Sequence, residues 1–522
     1  MDAHLGEGGY WLVDATVPRC CVVGAERLEA DHNGLSVVDV EIRGGLIASV
    51  VPAGAGREAR ARGVPVVSLE GGMCWPTMAD LHTHIDKSHT CERTRNPAGT
   101  LSGADKSTER DSKLWDMDDV CRRMEFSLRC AYAHGTSALR THLINLTPKQ
   151  IDLTWAAFAR LKKKWASRVE LQGVSLSLLS FFRDLEQATA LADLVQREGG
   201  VLGAAVCCGE LGGSEKDDYT TCNSDRDMLL DRIFTLASER NLDLDFHVDE
   251  NGNEGAKGLR YVAQKTIEHG YQGRVVCGHC CSLAYQPPEE LKKTLQAAHD
   301  AQITVVSLPL VNEWTQDRSP PEHCRTPRWR GITTLKELMA AGVSTALSSD
   351  NARDQFYEYG DLDMMEVFTQ SVRMGHLDRP SMGDWPCSIT SVPAAAMGLK
   401  DHGRIAVGRP ANLVLFRARR FSELLSRGQH DRIVIRDGRP VRAALPDYRD
   451  LDTLVGQDSK PLTNGYTRPA RADVSLKLWK VRQCQDAHIN SELRWSAVHT
   501  GVAVGLFAVA VLASYRTTKM MW

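Results

Sequence analysis

The chain has 522 residues, of which 43% are hydrophobic and 25% are charged, a composition typical of a folded globular protein. This length predicts about two to four domains, or one large barrel with additions. The formal net charge of −3 provides no basic field for nucleic acid, so nucleic acid is excluded as a predicted partner.

The fifteen cysteines do not indicate a disulfide framework, because their number is odd and their spacing is irregular. The segment 1–9 lacks the basic and apolar regions of a secretory signal, which predicts reduced thiols and a cytoplasmic location. Neighbouring cysteines, such as Cys20 with Cys21 and Cys280 with Cys281, lack the two-plus-two spacing of a structural zinc site. We interpret them as small buried residues.

Short strands separated by glycine turns are predicted within residues 37–69. The same pattern returns at residues 411–416 and 432–442, after the long centre of the chain. Two β segments that flank a centre in this way predict one composite β-sandwich domain, built from residues 1–72 and 396–445.

The centre of the chain, residues 73–395, alternates short apolar runs with segments of helical period. This is the pattern of parallel strands joined by helices, and eight such units predict an α/β fold with a (βα)8 TIM barrel. The predicted strands are residues 77–84, 138–144, 170–176, 201–206, 244–248, 274–279, 303–308 and 344–350. Apolar residues that recur every three or four positions predict helices at 225–240, 255–269, 288–300 and 335–341.

The C-terminal part has a different composition. Residues 446–495 include a stretch rich in Asp, Pro, Arg and Gly, which predicts a linker. Residues 496–516 form a nearly unbroken apolar run between basic residues, just long enough to span a bilayer. We predict a transmembrane tail anchor, with the preceding chain facing the cytosol. Because the run contains His499 and Thr500, a packed amphipathic or oligomer-forming C-terminal hydrophobic helix is the alternative.

Ionisable residues stand at the ends of four predicted strands. His82 and His84 are two residues apart on the first strand, so their imidazoles point to one side of it. His247 ends the fifth strand, His279 the sixth and Asp350 the eighth. Strand ends of a barrel open on one face, and polar groups gathered there are costly unless a divalent cation binds them. The sequence therefore predicts a metal site.

Four other histidines are interpreted as hydrogen-bonded or packed side chains without a metal role. They are His89, His134, His142 and His269. His142 is the least clear of them, because it also lies near the end of a predicted strand, the second.

Together these features resemble the amidohydrolase superfamily and, within it, the cytosine deaminase-like branch. The resemblance runs from about residue 38 to residue 443, and the order, spacing and strand placement of its motifs agree. The motifs are His-Thr-His-Ile-Asp-Lys at 82–87, Arg-Thr-His at 140–142, His-Val-Asp-Glu at 247–250, Gly-His at 278–279, Leu-Pro-Leu-Val-Asn at 308–312, Arg-Gly-Ile-Thr at 330–333 and Ser-Asp-Asn-Ala-Arg-Asp at 349–354.

The resemblance implies one divalent metal ion per chain, held by His82, His84, His247 and Asp350. Nitrogen and carboxylate ligands suit Fe²⁺ and Zn²⁺ alike, so the sequence does not choose between them. The family also implies a homo-oligomer.

The same resemblance implies three catalytic residues. A water molecule activated by the metal would be the nucleophile, and Asp350 would take its proton. Glu250 would pass protons to a ring nitrogen and to departing ammonia. His279 would orient the attacked centre.

The predicted substrate-binding residues depart from the pattern of the branch. Leu178 stands where cytosine deaminases have a glutamine that reads the pyrimidine edge, and Asn351 replaces an acid after the metal-binding aspartate. Phe356 corresponds to an aromatic residue that covers the base. Leucine cannot form the hydrogen bonds of glutamine, and such a loss changes substrate preference by orders of magnitude. We therefore predict hydrolytic deamination of a small amino-substituted nitrogen heterocycle, which is a cytosine-like base or another aminated pyrimidine, purine or triazine.

Two other functions fit the sequence less well. A cyclic amidase would open a lactam or imide ring, but such members of the superfamily commonly use two metals bridged by a modified lysine. The fourth predicted strand ends in Val-Cys-Cys-Gly-Glu at 206–210, without a lysine. A catalytically silent, membrane-tethered scaffold would have no physical need for four metal ligands and Glu250.

Overall fold

The computed structural model describes residues 9–206, 223–319 and 325–455 of the chain. Its first strands are β1 (Tyr10–Pro18), β2 (Leu35–Arg43), β3 (Leu46–Pro52), β4 (Val66–Ser68) and β5 (Cys74–Pro76), with α1 (Ala55–Ala61) between β3 and β4. The first four strands form one sheet in the order β3-β2-β1-β4. In this sheet β4 runs parallel to β1, while the other pairs are antiparallel.

The eight predicted strands of the centre form one parallel sheet. They are β6 (Met78–Thr83), β7 (Thr136–Ile144), β8 (Glu170–Leu178), β9 (Leu202–Val206), β10 (Leu244–Val248), β11 (Val275–His279), β12 (Thr304–Ser307) and β13 (Ser344–Leu347). The strands pair in chain order, and the end of the last returns to the first, where the amide of Asp350 donates to the carbonyl of His82 at 2.9 Å. The prediction of a TIM-like barrel is confirmed.

Helices join the barrel strands or follow the last of them. They are α2 (Leu101–Ser112), α3 (Met117–His134), α4 (Pro148–Trp165), α5 (Leu185–Arg197), α6 (Asn223–Arg240), α7 (Gly258–Glu268), α8 (Pro288–Asp300), α9 (Pro309–Thr315), α10 (Leu335–Ala340), α11 (Met364–Gly375) and α12 (Ser391–Ala396). The apolar faces of α3 to α8 pack with the strands in the largest apolar cluster. All four predicted helices are present, with ends that differ by a few residues.

A second small sheet combines both flanks of the barrel. The strands β14 (Leu413–Leu415), β15 (Ile433–Arg436) and β16 (Arg439–Pro440) join β5 in the order β16-β15-β14-β5, and α13 (Phe421–Leu424) follows β14. Leu413 and Ile435 pack with Leu12 and Val40 of the first sheet in one apolar cluster. The extra sheets thus draw on both flanks, while the domain boundaries at 1–72 and 396–445 stay a prediction.

The described part of the predicted linker packs against α3. The rings of Tyr448 and Phe126 are stacked with centroids 5.4 Å apart, and Leu451 shares an apolar cluster with Phe126 and Cys130. The rest of the linker and the predicted tail anchor at 496–516 lie outside the described residues. Within the described part of the chain, no helix is long and apolar enough to cross a membrane.

A buried ion network fixes α2 beside the barrel. Arg93 contacts Asp111 on α2 at 2.8 Å and Asp119 on α3 at 2.6 Å. Arg123 contacts Asp119 as well, also at 2.8 Å. Because all four side chains are nearly inaccessible to solvent, each charge depends on its partners.

Replacing Arg93 by methionine is expected to lower the free energy of unfolding by about 3–5 kcal/mol, because it removes a cation from two buried carboxylates. Denaturant unfolding followed by circular dichroism measures this loss. The control is Lys113→Met, which removes an exposed pair with Glu109 at 4.0 Å and is expected to change stability by less than about 1 kcal/mol. Equal effects of the two variants would contradict the role given to the buried network.

Candidate active site

The predicted metal ligands His82, His84, His247 and Asp350 meet at one end of the barrel. Nε2 of His84 lies 3.2 Å from Oδ1 of Asp350 and 3.2 Å from Nε2 of His247. Nε2 of His82 lies 3.8 Å from the same Asp350 oxygen. His82 lies on β6, His84 directly follows it, His247 lies on β10 and Asp350 lies in the turn after β13. The barrel thus brings residues far apart in sequence to a common point.

The polar atoms of this cluster are buried but poorly paired within the protein. Within the described part of the chain, both carboxylate oxygens of Asp350 and both ring nitrogens of His82 lack a hydrogen-bond partner. Unpaired buried polar atoms are unfavourable, so their convergence indicates an occupant that binds lone pairs. Imidazole nitrogens and carboxylate oxygens are ligands of Zn²⁺ and Fe²⁺. The donor set therefore fits a divalent metal ion.

The electrostatics of the cluster favour neutral imidazoles. Burial lowers the pKa of His82, His84 and His247 well below the usual range. For His84, the positive charge of Lys87 lowers the pKa further. For His82 and His247, the neighbouring imidazoles lower it further. A neutral imidazole has a lone pair available for a metal. Burial also raises the pKa of Asp350, with Lys87 acting in the opposite direction.

His142 lies in the same cluster. Its ring centroid is 3.9 Å from that of His82, and its Nε2 lies 3.1 Å from Oδ1 of Asp245. His82, His142 and His247 are also close enough together to hold an ion, so the interpretation of His142 as a packed residue stays a prediction. The other three histidines contact partners elsewhere: His89 contacts Ser127, His134 contacts Asp361 and His269 contacts Asp231.

The predicted catalytic residues Glu250 and His279 lie together beside the cluster. Oε1 of Glu250 is 3.5 Å from Nδ1 of His279. The side-chain amide of Asn312, on α9, donates to Oε1 of Glu250 at 3.1 Å and lies 3.0 Å from Nδ1 of His279. Asn312 ends the Leu-Pro-Leu-Val-Asn motif, but the sequence alone predicts no role for it. The structure shows that it positions both residues.

Burial gives Glu250 and His279 unusual proton affinities. Burial, followed by the negative charges of Asp350 and Asp105, raises the pKa of Glu250 well above its usual range, while Lys87 opposes this. Burial lowers the pKa of His279 to about 3, against the hydrogen bond to Asn312. A carboxyl group with a raised pKa is able to exchange protons near neutral pH.

A cavity of about 400 Å³ opens beside these residues. The predicted substrate-binding residues Leu178, Asn351 and Phe356 all line it, together with Glu250, His279 and Asp350. The amide of Asn351 donates to a carboxylate oxygen of Asp354 at 2.7 Å, so part of its hydrogen-bonding capacity is used within its own loop. The structure therefore brings the predicted catalytic and substrate-binding residues to one cavity.

Two charged residues, Lys87 and Asp105, also line this cavity. Neither is predicted as a site residue from the sequence. The side chain of Lys87 is buried, and its Nζ lies 3.6 Å from the centroid of the Phe356 ring. Asp105 lies on α2, and burial raises its pKa to about 6, against the positive charge of Lys87. Lys87 ends the His-Thr-His-Ile-Asp-Lys motif, which is the signal that points to it, whereas nothing in the sequence pattern marks Asp105.

Comparisons with known proteins agree with this arrangement. The Amidohydrolase family profile matches residues 175–442. A pterin deaminase from Rhizobium rhizogenes (strain K84 / ATCC BAA-868) is 44% identical over 448 residues, which cover 86% of this chain and 97% of the relative. The N-isopropylammelide isopropyl amidohydrolase of Pseudomonas sp. (strain ADP) is 26% identical over 355 residues, which cover 67% of this chain and 81% of that relative.

The fold also matches a solved structure. The 5-methylcytosine deaminase from Klebsiella pneumoniae liganded with 5-fluorocytosine aligns with a TM-score of 0.64 and 19% identity, over 84% of this chain and 98% of that chain. The barrel, together with the site at the ends of its strands, places the chain in a class of hydrolytic enzymes. The chain belongs to the amidohydrolase family. This membership confirms the resemblance to deaminase-like amidohydrolases. The chain is a hydrolase that acts on carbon–nitrogen bonds in cyclic compounds. The alternative of a catalytically silent scaffold is therefore not supported.

We expect His247→Ala to lower the content of iron or zinc by close to one ion per chain, because it removes a ligand from the buried cluster. Elemental analysis of the purified protein measures this content. The matched control is His269→Ala, since His269 contacts Asp231 on the outer helices and its loss is expected to leave the content unchanged. Undiminished metal in His247→Ala would contradict the assignment of the cluster.

Proposed function

We propose that this enzyme is a metal-dependent hydrolytic deaminase and that its substrate is a pterin or a closely related aminated bicyclic heterocycle. The observation that carries the proposal is the convergence of Glu250, His279 and Asp350 on one cavity beside three further histidines. The 44% identity to a pterin deaminase, over nearly the whole length of that relative, supports the substrate class. A homo-oligomeric state and a cytoplasmic location remain predictions from the sequence.

The proposed chemistry begins with the residues that would hold the ion, His82, His84, His247 and Asp350. When bound, a divalent ion supplies a Lewis acid that makes water nucleophilic near neutral pH. Asp350 accepts a proton from the attacking water through one of its two carboxylate oxygens. Neither oxygen has a hydrogen-bond partner among the described residues.

Glu250 is proposed to move protons between water and substrate. Its Oε1 is held by the amide of Asn312, and its raised pKa favours a carboxyl group that both gives and takes a proton. Glu250 protonates a ring nitrogen as water adds to the amidine carbon. Left without its proton, Glu250 takes the remaining proton of that water from the hydroxyl group of the tetrahedral adduct and delivers it to the amino group, which leaves as ammonia. The proton that Asp350 took from the water returns to Glu250 and restores both side chains.

His279 is proposed to donate a hydrogen bond into the cavity. Its Nδ1 faces the donating amide of Asn312 at 3.0 Å, so Nδ1 is the acceptor and the proton of the neutral ring is assigned to Nε2. That Nε2 has no hydrogen-bond partner among the residues that the structure describes. An N–H group oriented in this way stabilises the negative charge that develops on oxygen at the attacked carbon.

The walls of the cavity support a bicyclic substrate. Its volume of about 400 Å³ falls within the usual range for small-molecule sites. Leu178 offers apolar surface where a glutamine would otherwise read a single pyrimidine ring, and Phe356 offers an aromatic wall that the Nζ of Lys87 covers. A pterin carries an aminated pyrimidine ring fused to a second ring, which such an apolar wall would contact.

Replacing Glu250 by glutamine is expected to keep the metal and to lower kcat by about 10²–10⁴-fold, because the amide cannot exchange the proton. Steady-state kinetics and metal analysis on the same preparation separate the two effects. Glu254→Gln is the control, since Glu254 is an exposed carboxylate four residues further along and should retain full turnover. Undiminished turnover in Glu250→Gln would remove Glu250 from the proton transfer.

Release of ammonia from a panel of aminated heterocycles tests the substrate class. With iron-loaded and zinc-loaded protein, pterin is expected to give a higher kcat/KM than cytosine, and Leu178→Gln is expected to reduce the preference for pterin by about tenfold. A clear preference for cytosine would overturn the bicyclic substrate while leaving deamination intact. A ring-opened product without ammonia would instead support the cyclic amidase.

A further inference from the structure

Three cysteines form a cluster outside the proposed active site. Cys20 and Cys21 lie in the 3-10 helix Arg19–Cys21, directly after β1, and Cys387 lies in the 3-10 helix Trp385–Ile389. The sulfur atoms of Cys20 and Cys21 are 3.8 Å apart, and the three sulfurs all lie within 4.8 Å of one another. Among the residues that the structure describes, no other three cysteines come this close.

The spacing of the sulfurs matches that of metal thiolates. In a tetrahedral zinc site the Zn–S distance is about 2.3 Å, which places neighbouring sulfurs about 3.8 Å apart. The two segments already touch without an ion, because the Cys21 sulfur lies 3.6 Å from the hydroxyl of Thr390, directly after the 3-10 helix that carries Cys387. The Cys387 sulfur also lies 3.2 Å from the carbonyl oxygen of Cys20. Little rearrangement is therefore needed to bind an ion.

The cysteine cluster is accessible to a cation and to solvent. Cys20 and Cys387 are only partly buried, so a cation can enter and solvent can supply a fourth ligand. Thiolates prefer soft or borderline cations to the oxygen-seeking ions Mg²⁺ and Ca²⁺.

We propose that Cys20, Cys21 and Cys387 form a second metal site that binds a thiophilic cation of the Zn²⁺ class. The ion joins the first strand of the N-terminal sheet to a segment beyond α11, across 367 residues of sequence. Because the unfolded chain does not preform such a site, binding stabilises the folded protein.

The full-length protein loaded with Co²⁺ in the presence of a thiol-free reductant provides the test. A thiolate ligand gives a sulfur-to-cobalt charge-transfer band in the near ultraviolet, which histidine and aspartate ligands do not give. The wild-type protein is expected to show this band and to bind about two ions per chain, one in each site. Cys387→Ser is expected to lose the band and one ion while keeping its catalytic activity.

Two controls separate this site from the histidine cluster. Cys121→Ser replaces a cysteine on α3 and is expected to keep the band and both ions. His247→Ala is expected to lose one ion but to keep the band, so failure of the proposed function leaves this test intact. Cys20→Ser serves as a second variant if Cys387→Ser does not fold.

Three outcomes would overturn the second site. The first is a wild-type protein without a thiolate band, and the second is a band that persists in both Cys20→Ser and Cys387→Ser. The third is a protein in which two of the three cysteines form a disulfide, and which still binds no Co²⁺ at these cysteines after the disulfide has been reduced.

Discussion

The hydrogen bond from the amide of Asp350 to the carbonyl of His82 closes the barrel and fixes its site at once. It sets the Asp350 carboxylate 3.2 Å from His84, where an unpaired acid would be unfavourable without a cation. The backbone bends sharply here, since Asp350 adopts a φ of 65° and His279 a φ of 68°. Such left-handed geometry is strained for these residues, and at Asp350 the neighbouring Ser349 amide helps to hold it by donating to Asp80 at 3.1 Å.

Asn312 links the two residues proposed for proton transfer and for charge stabilisation. One amide group contacts both Glu250 and His279, so the orientation of the carboxyl group and the tautomer of the imidazole depend on the same side chain. Lys87 also lines the cavity, and its charge opposes the effect of burial on Glu250 and Asp350. The acid, the imidazole and the carboxylate therefore respond to shared neighbours, so their proton affinities are coupled.

The barrel strands could be predicted because each is a short apolar run, as expected for parallel strands covered on both sides. Their ends carry His82, His247 and Asp350, so the proposed ligands follow directly from strand placement. The sequence does not predict α2, because its buried positions include Ser107, Thr108 and Asp111 and show no apolar period. The sequence does not predict Asp105 as a cavity residue for the same reason. It does not predict a role for Cys387, because only the fold brings this residue to Cys20, 367 residues away.

The two clusters differ in the chemistry that their folds make available. The histidine cluster adjoins a cavity and combines neutral nitrogens with one carboxylate, a set suited to an ion that must leave room for water and substrate. The cysteine cluster lies between the first strand of the N-terminal sheet and a 3-10 helix that follows the last barrel strand in the sequence. None of its three cysteines lines that cavity. Its three sulfurs carry more negative charge when ionised, so an ion there is held tightly and stabilises the join between segments rather than activating water.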